Sequence, residues 1–142
     1  MPRMMPAVPM TKQVSGRQIL LIDDDELVCG SLRQFLLTQG CTVSVADDIA
    51  TAEGLMATRE YDVVLVDPYL TTGVRDAGGA SGAIVNRIRI LQPKAAVIVL
   101  TGYDSPALLH AAQRDNVSEF LKKPRSVVAI GEAIGRAAAE VR

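Results

Sequence analysis

Aromatic residues are scarce in this sequence of 142 residues: tryptophan is absent and aromatics make up 4%, although 49% of the residues are hydrophobic. Aliphatic side chains and alanine must therefore build the interior, which favours helices packed closely on a sheet over an aromatic-rich binding surface. The sequence also lacks a run of lysine and arginine, and its formal net charge is -1. Electrostatics thus gives no reason to expect direct binding of nucleic acid. No apolar stretch approaches the roughly 20 residues that would span a membrane.

Cysteine is also scarce. The two cysteines, Cys29 and Cys41, do not have the spacing of metal ligands, so we predict ordinary buried thiols and a cytoplasmic location. Residues 1–16 are rich in methionine and proline and lack the continuous apolar core of a signal peptide. We therefore predict a disordered amino-terminal extension over 1–16 and a single folded domain over 17–142. Whether that domain acts alone or is part of a longer regulator stays open.

Apolar runs alternate with amphipathic patterns along the chain. Five short apolar runs predict strands, at 19–22, 42–46, 63–66, 96–100 and 119–121. Helical patterns lie between and after them. The first helical pattern places Leu27, Leu32, Phe35 and Leu36 on one side and ends at Gly40. Five strands alternating with five helices predict an α/β fold of the doubly wound type, with a parallel sheet covered on both faces.

Polar side chains follow four of the predicted strands directly: Asp23 and Asp24, Asp67, Thr101 and Lys123. Because sites in such folds lie at the carboxyl ends of the strands, we expect these side chains to converge. Clustered carboxylates repel one another and persist mainly when a cation offsets the repulsion, and their hard oxygens suit magnesium. A helix N-cap is the alternative explanation of the acidic cluster, with Asp25 as the capping residue.

This order of residues resembles the receiver domain of two-component response regulators, the CheY-like family. The matching stretches are 20–24, 63–67, 97–102 and 120–124. The resemblance runs from about Arg17 to the end of the chain. It implies a three-layer sandwich of the flavodoxin-like type whose five parallel strands have the order 2-1-3-4-5.

The resemblance also implies a chemistry. Asp67 would accept a phosphoryl group from a phosphohistidine on a histidine kinase or histidine phosphotransfer protein. Asp23, Asp24, Asp67 and the backbone carbonyl of Tyr69 would hold Mg²⁺, which screens the incoming charge. Lys123 would contact the phosphoryl oxygens, and the family often has a cis peptide bond after this lysine.

The output implied by the resemblance is a conformational switch and not an enzymatic turnover. Thr101 would bond the phosphoryl group, and Phe120 would rotate into the space that Thr101 leaves, although Phe120 could also be a plain core residue. The fourth helix, fifth strand and fifth helix would then present a changed surface to an unknown downstream protein. Small residues at 131, 135, 137 and 138 of the last helix favour close packing on the sheet, with a homodimer through helices four and five as the alternative.

Three departures from the family pattern follow Asp67. Pro68 lacks an amide hydrogen, Thr71 stands where a proline is usual, and a long glycine-rich loop occupies 72–80. Because of these departures, a second hypothesis stays open: the chain is a degenerate receiver that acts as a binding module without phosphorylation.

A haloacid-dehalogenase-like phosphohydrolase is the rival from another class, because Asp23 and Asp25 form its Asp-x-Asp motif. However, this sequence lacks the acidic motif that such an enzyme would have after Lys123, and the hydrolase hypothesis gives Asp67 no role.

Overall fold

The sheet has five parallel strands in the order β2-β1-β3-β4-β5. The computed structural model describes residues 14–69, 80–103 and 105–141. The strands are β1 (Gln18–Ile22), β2 (Thr42–Ala46), β3 (Val63–Val66), β4 (Ala96–Thr101) and β5 (Glu119–Lys122). The predicted doubly wound α/β fold and its strand order are both confirmed.

In the described part of the chain, five helices cover the sheet: α1 (Glu26–Thr38), α2 (Ile49–Thr58), α3 (Ala80–Leu91), α4 (Pro106–Arg114) and α5 (Val127–Ala138). The apolar side chains of α1 and α5 pack on one face of the sheet and those of α2, α3 and α4 on the other. Every residue of β3 and β4 is buried, because central parallel strands have helices on both sides.

Short polar side chains cap four of the helices. The Asp25 carboxylate accepts hydrogen bonds from the backbone N–H groups of Leu27 (3.1 Å) and Val28 (3.2 Å). Asp48, Ser105 and Ser126 cap α2, α4 and α5 in the same way. The third carboxylate of the acidic cluster is therefore committed to the start of α1.

The prediction that Leu27 lies on the same side of the first helix as Leu32 and Leu36 is wrong, because its side chain is 83% exposed. The buried positions of α1 are Cys29, Leu32 and Leu36, which follow one another at intervals of three and four residues. With 3.6 residues per turn, two residues that are five positions apart point in different directions around the helix axis, so Leu27 lies well away from the side that carries Leu32. Cys29 instead completes the apolar stripe.

The packed part of the chain includes residues before Arg17, where the domain was predicted to begin. Val14 is fully buried in the core beneath α1 and α5, and the Gly16 N–H donates to the carbonyl of Gly40 (2.9 Å). The rest of the predicted extension, residues 1–13, lies outside the described residues. Within the described parts of the chain, no helix combines the length and the apolar character needed to cross a membrane.

Gly131→Ala tests the contact between α5 and α1. A Cβ at this position would lie 2.5 Å from Cε2 of Phe35, so the ring or the helix must move. We expect the free energy of unfolding, measured by urea denaturation, to fall by about 1–2 kcal/mol. Gly54→Ala in α2 is the control, since its Cβ would meet nothing within 4 Å. It should raise stability by about 0.5–1 kcal/mol, and equal effects of the two substitutions would contradict the packing explanation.

The two thiols should react slowly with a disulfide reagent in the folded protein. Neither Cys29 nor Cys41 forms a disulfide, and both residues are buried. Burial raises the pKa of Cys29 to about 12 and that of Cys41 to about 11. At pH 8 we therefore expect a chromogenic disulfide reagent to react about 100-fold or more slowly with native than with urea-unfolded protein. Rapid release of two equivalents from the native protein would contradict this.

Candidate functional site

The Lys123 ammonium lies between two buried carboxylates at the carboxyl edge of the sheet. Its Nζ is 2.8 Å from Oδ2 of Asp23 and 3.1 Å from Oδ2 of Asp67. Ile22 pairs with Val66 in the register of β1 and β3, so the next residues, the two aspartates, emerge side by side. Three of the strand-end residues predicted to converge therefore do so.

Asp67 is 8% exposed, and its two carboxylate oxygens have different partners. Oδ1 accepts a hydrogen bond from the backbone N–H of Tyr69 (3.1 Å), while Oδ2 accepts from Lys123. Pro68, which lies between, has no N–H to offer. The Asp67 side chain is thus oriented by the backbone that follows it, and its second oxygen is directed toward the lysine.

Asp23 is more deeply buried than an isolated carboxylate tolerates. Burial raises the pKa of Asp23 above its usual value, and the charge of Asp67 adds to this, while Lys123 and the N–H of Asp25 oppose it. Burial also works to lower the pKa of Lys123, but hydrogen bonds and charges from both aspartates outweigh it and raise that pKa. The carboxylate pair is therefore held together by the cation between them.

The donor set of this edge suits a hard cation. Asp23 and Asp67 supply adjacent buried carboxylates, which are ligands that Mg²⁺ prefers. Asp24 follows in sequence but is exposed. Among the residues that the structure describes, no group of three or more histidine, cysteine, aspartate or glutamate side chains is arranged to hold a metal ion. In this arrangement the Lys123 ammonium supplies the positive charge between the carboxylates.

Thr101 and Phe120, the two residues predicted to switch, lie on neighbouring strands. The Thr101 side chain is fully buried, and its hydroxyl bonds the backbone of Tyr103, donating to the carbonyl (3.3 Å) and accepting from the N–H (3.2 Å). Phe120 is half-buried and packs against the core on the α2, α3 and α4 side. Lys123 and Pro124 are joined by a cis peptide bond.

Sequence reasoning assigned only a backbone role to Tyr69 and missed its side chain. The ring is 5% exposed and packs edge-on against Tyr103, with centroids 5.3 Å apart and an interplanar angle of 72°. The Tyr69 hydroxyl donates to Oγ of Ser105 (3.4 Å), the N-cap of α4. The sequence signal was an aromatic residue two positions after Asp67, but its partners lie on another strand and helix. Thr71 and the predicted loop up to residue 79 lie outside the described residues.

Residues 19–135 match the model of the response regulator receiver domain, so the chain belongs to the response regulator receiver domain family. It is 27% identical over 127 residues to the photosynthetic apparatus regulatory protein RegA of Rhodobacter capsulatus. That match covers 84% of this chain and 66% of RegA, so the chain spans slightly less than two thirds of this relative.

Many solved structures share the fold, and two of them illustrate the similarity to this chain. A response regulator of Burkholderia pseudomallei, described with a phosphorylated aspartic acid, calcium ion and citrate, superposes with a TM-score of 0.71 and 30% identity. The superposition covers 87% of this chain and 69% of that one. A CheY-like receiver domain protein of Methanospirillum hungatei superposes with a TM-score of 0.76 and 21% identity, covering 89% and 96% of the two chains. The second likeness supports the fold alone.

Proposed function

We propose that this receiver domain accepts a phosphoryl group on Asp67 from a histidine kinase or histidine phosphotransfer protein, in a reaction that depends on Mg²⁺. The observation that carries the proposal is the buried Asp67 carboxylate at the carboxyl edge of the sheet, with Lys123 on its Oδ2 and Asp23 beside it. The Burkholderia pseudomallei relative, which holds a phosphorylated aspartic acid and a calcium ion, supports the same chemistry.

In the proposed reaction, an Asp67 oxygen forms a bond to the donor phosphorus. The bond from that phosphorus to the imidazole nitrogen breaks, and its electron pair returns to the imidazole. Lys123 forms an ion pair with Asp67 before the reaction. After the transfer, its ammonium group would pair with the phosphoryl oxygens, which then carry the negative charge. Asp23, Asp24, Asp67 and the Tyr69 carbonyl would hold the Mg²⁺, whose charge screening lets one anion approach another.

The proposed output is a change of the surface that α4, β5 and α5 form, with Thr101 and Phe120 as the switch residues. Leu109 of α4 and Val128 of α5 are 39% and 53% exposed, which supports a protein contact on this side. We propose that this surface contacts a downstream protein, with a homodimer through α4 and α5 as the alternative, and the cysteine content predicts a cytoplasmic location.

The hydrolase alternative is weakened by Asp25. That alternative depends on the Asp-x-Asp motif formed by Asp23 and Asp25. Here Oδ1 of Asp25 accepts the amide hydrogens of Leu27 and Val28, so the side chain serves the start of α1. We therefore place the reactive carboxylate at Asp67 and not at Asp23.

Mapping of the labelled residue separates the candidates. The protein is incubated with Mg²⁺ and acetyl phosphate, its intact mass is measured, and the labelled peptide is identified. We expect one phosphoryl group on the peptide that contains Asp67, and no labelling when a chelator removes Mg²⁺. A label on the peptide with Asp23 would instead indicate the hydrolase, while no label and no binding of beryllofluoride would indicate the degenerate module.

A further inference from the structure

The two ends of α4 are held by different residues and with different strength. At the carboxyl end, the Arg89 guanidinium of α3 donates to the carbonyls of Asp115 (3.2 Å) and Asn116 (3.4 Å), just past the last turn. It also donates to carbonyls on the approach to β4, including that of Ala95 (2.7 Å). Asn86, one turn earlier on α3, donates to the Asp115 carboxylate (3.1 Å). Several charge-assisted bonds thus anchor this end to α3 and β4.

The amino end of α4 is held through Ser105. Its Oγ accepts the N–H of Leu108 (3.0 Å) and caps the helix. The same oxygen accepts the Tyr69 hydroxyl at 3.4 Å, which is long for a bond between hydroxyls and therefore weak. Tyr69 and Ser105 are both buried, so the contact is shielded from water. This contact is consequently one that a small displacement of Tyr69 can open.

Tyr69 is bonded at its other end to Asp67. Its backbone N–H donates to Oδ1 of Asp67, two residues earlier. Its ring also contacts Tyr103, whose backbone N–H and carbonyl are bonded to the Thr101 hydroxyl. Tyr69 therefore links three parts of the site: its backbone N–H bonds the Asp67 carboxylate, its ring contacts the residue that bonds the Thr101 hydroxyl, and its own hydroxyl reaches the cap of α4.

We propose that Tyr69 is a latch between Asp67 and the amino end of α4, and that α4 pivots on the carboxyl end that Arg89 anchors. The inference rests on the proposed phosphorylation of Asp67. A group added to Asp67 changes the acceptor of the Tyr69 N–H, which shifts the tyrosine and opens its contact with Ser105. The first turn of α4 then loosens, while the anchored end stays in place. Tyr69 acts through Ser105 and is a positioning residue, additional to Thr101 and Phe120.

Tyr69→Phe tests the latch, because it removes the hydroxyl and keeps the ring and the backbone N–H. Amide hydrogen exchange, followed by NMR, is measured with and without beryllofluoride and Mg²⁺, and ¹⁹F NMR gives the occupancy of the site. In the free protein we expect exchange at Leu108 and Leu109 to be about two- to fivefold faster than in wild type. Exchange at Asp115 and Val117 should be unchanged. At equal occupancy of the site, beryllofluoride should accelerate amide hydrogen exchange at Leu108 and Leu109 in the wild type. The acceleration in the variant should be less than half as large.

Tyr61→Phe is the matched control. Tyr61 is equally buried, and its hydroxyl also donates to a serine, Ser44 (3.1 Å), away from α4. This variant should leave exchange in α4 as in wild type. The latch is overturned if Tyr69→Phe exchanges like wild type at Leu108 and Leu109, or if both ends of α4 accelerate equally. If the wild type binds no beryllofluoride, the proposed function fails, whereas the comparison of the free proteins still decides whether Tyr69 holds the cap.

Discussion

Replacement of Asp67 by asparagine should abolish the incorporation of a phosphoryl group from acetyl phosphate in the presence of Mg²⁺. The amide group of asparagine has almost the shape of the carboxylate group, but its oxygen is a poor nucleophile. Labelling should therefore drop by about 100-fold or more. The folded structure should survive, because the asparagine oxygen can still accept the N–H of Tyr69 and the site loses one of two adjacent negative charges. Intact-mass spectrometry gives the extent of labelling, and circular dichroism checks the fold.

Asp25→Asn is the control for this experiment. Asparagine caps helices as well as aspartate does, and Asp25 belongs to the same acidic cluster while its side chain bonds the start of α1. Labelling of this variant should match that of the wild type. Full labelling of the Asp67→Asn protein would rule out Asp67 as the phosphoacceptor.

Arg89→Ala should lower the free energy of unfolding by about 2–3 kcal/mol, because it removes the donor to the carbonyl of Asp115 at the end of α4 and to that of Ala95 just before β4. The guanidinium donates to five backbone carbonyls between residues 92 and 116. Arg89 is half-buried, and this burial lowers its pKa below the usual value while the nearby Asp115 opposes the shift. Urea denaturation measures the loss.

Arg87→Ala on the same helix provides the comparison. Arg87 pairs with Glu53 at 3.2 Å, with side chains 53% and 40% exposed. Exposed ion pairs contribute little, so this substitution should change stability by less than about 0.5 kcal/mol. If the two arginine variants were equally stable, the Arg89 contacts would not anchor the carboxyl end of α4.

The sequence was most informative where the signal is local. The cap of the first helix, Asp25, was identified correctly, since a capping residue bonds an amide two or three positions ahead. Leu27 was misplaced, because an apolar residue in the first turn suggests burial while only the angle around the helix decides which face it joins. Burial of the first turn depends on what packs against it.

The sequence by itself determined the alternation of strands and helices, and it placed Asp23, Asp67 and Lys123 at one edge, because parallel strands end on the same side of their sheet. Only the tertiary structure decided that Lys123 contacts Asp23 and Asp67 while Asp24 is exposed. It also decided that the Tyr69 side chain reaches Ser105, 36 residues away. Such contacts depend on how the helices pack on the sheet. The periodicity of one segment predicts its own secondary structure but does not determine where neighbouring segments lie.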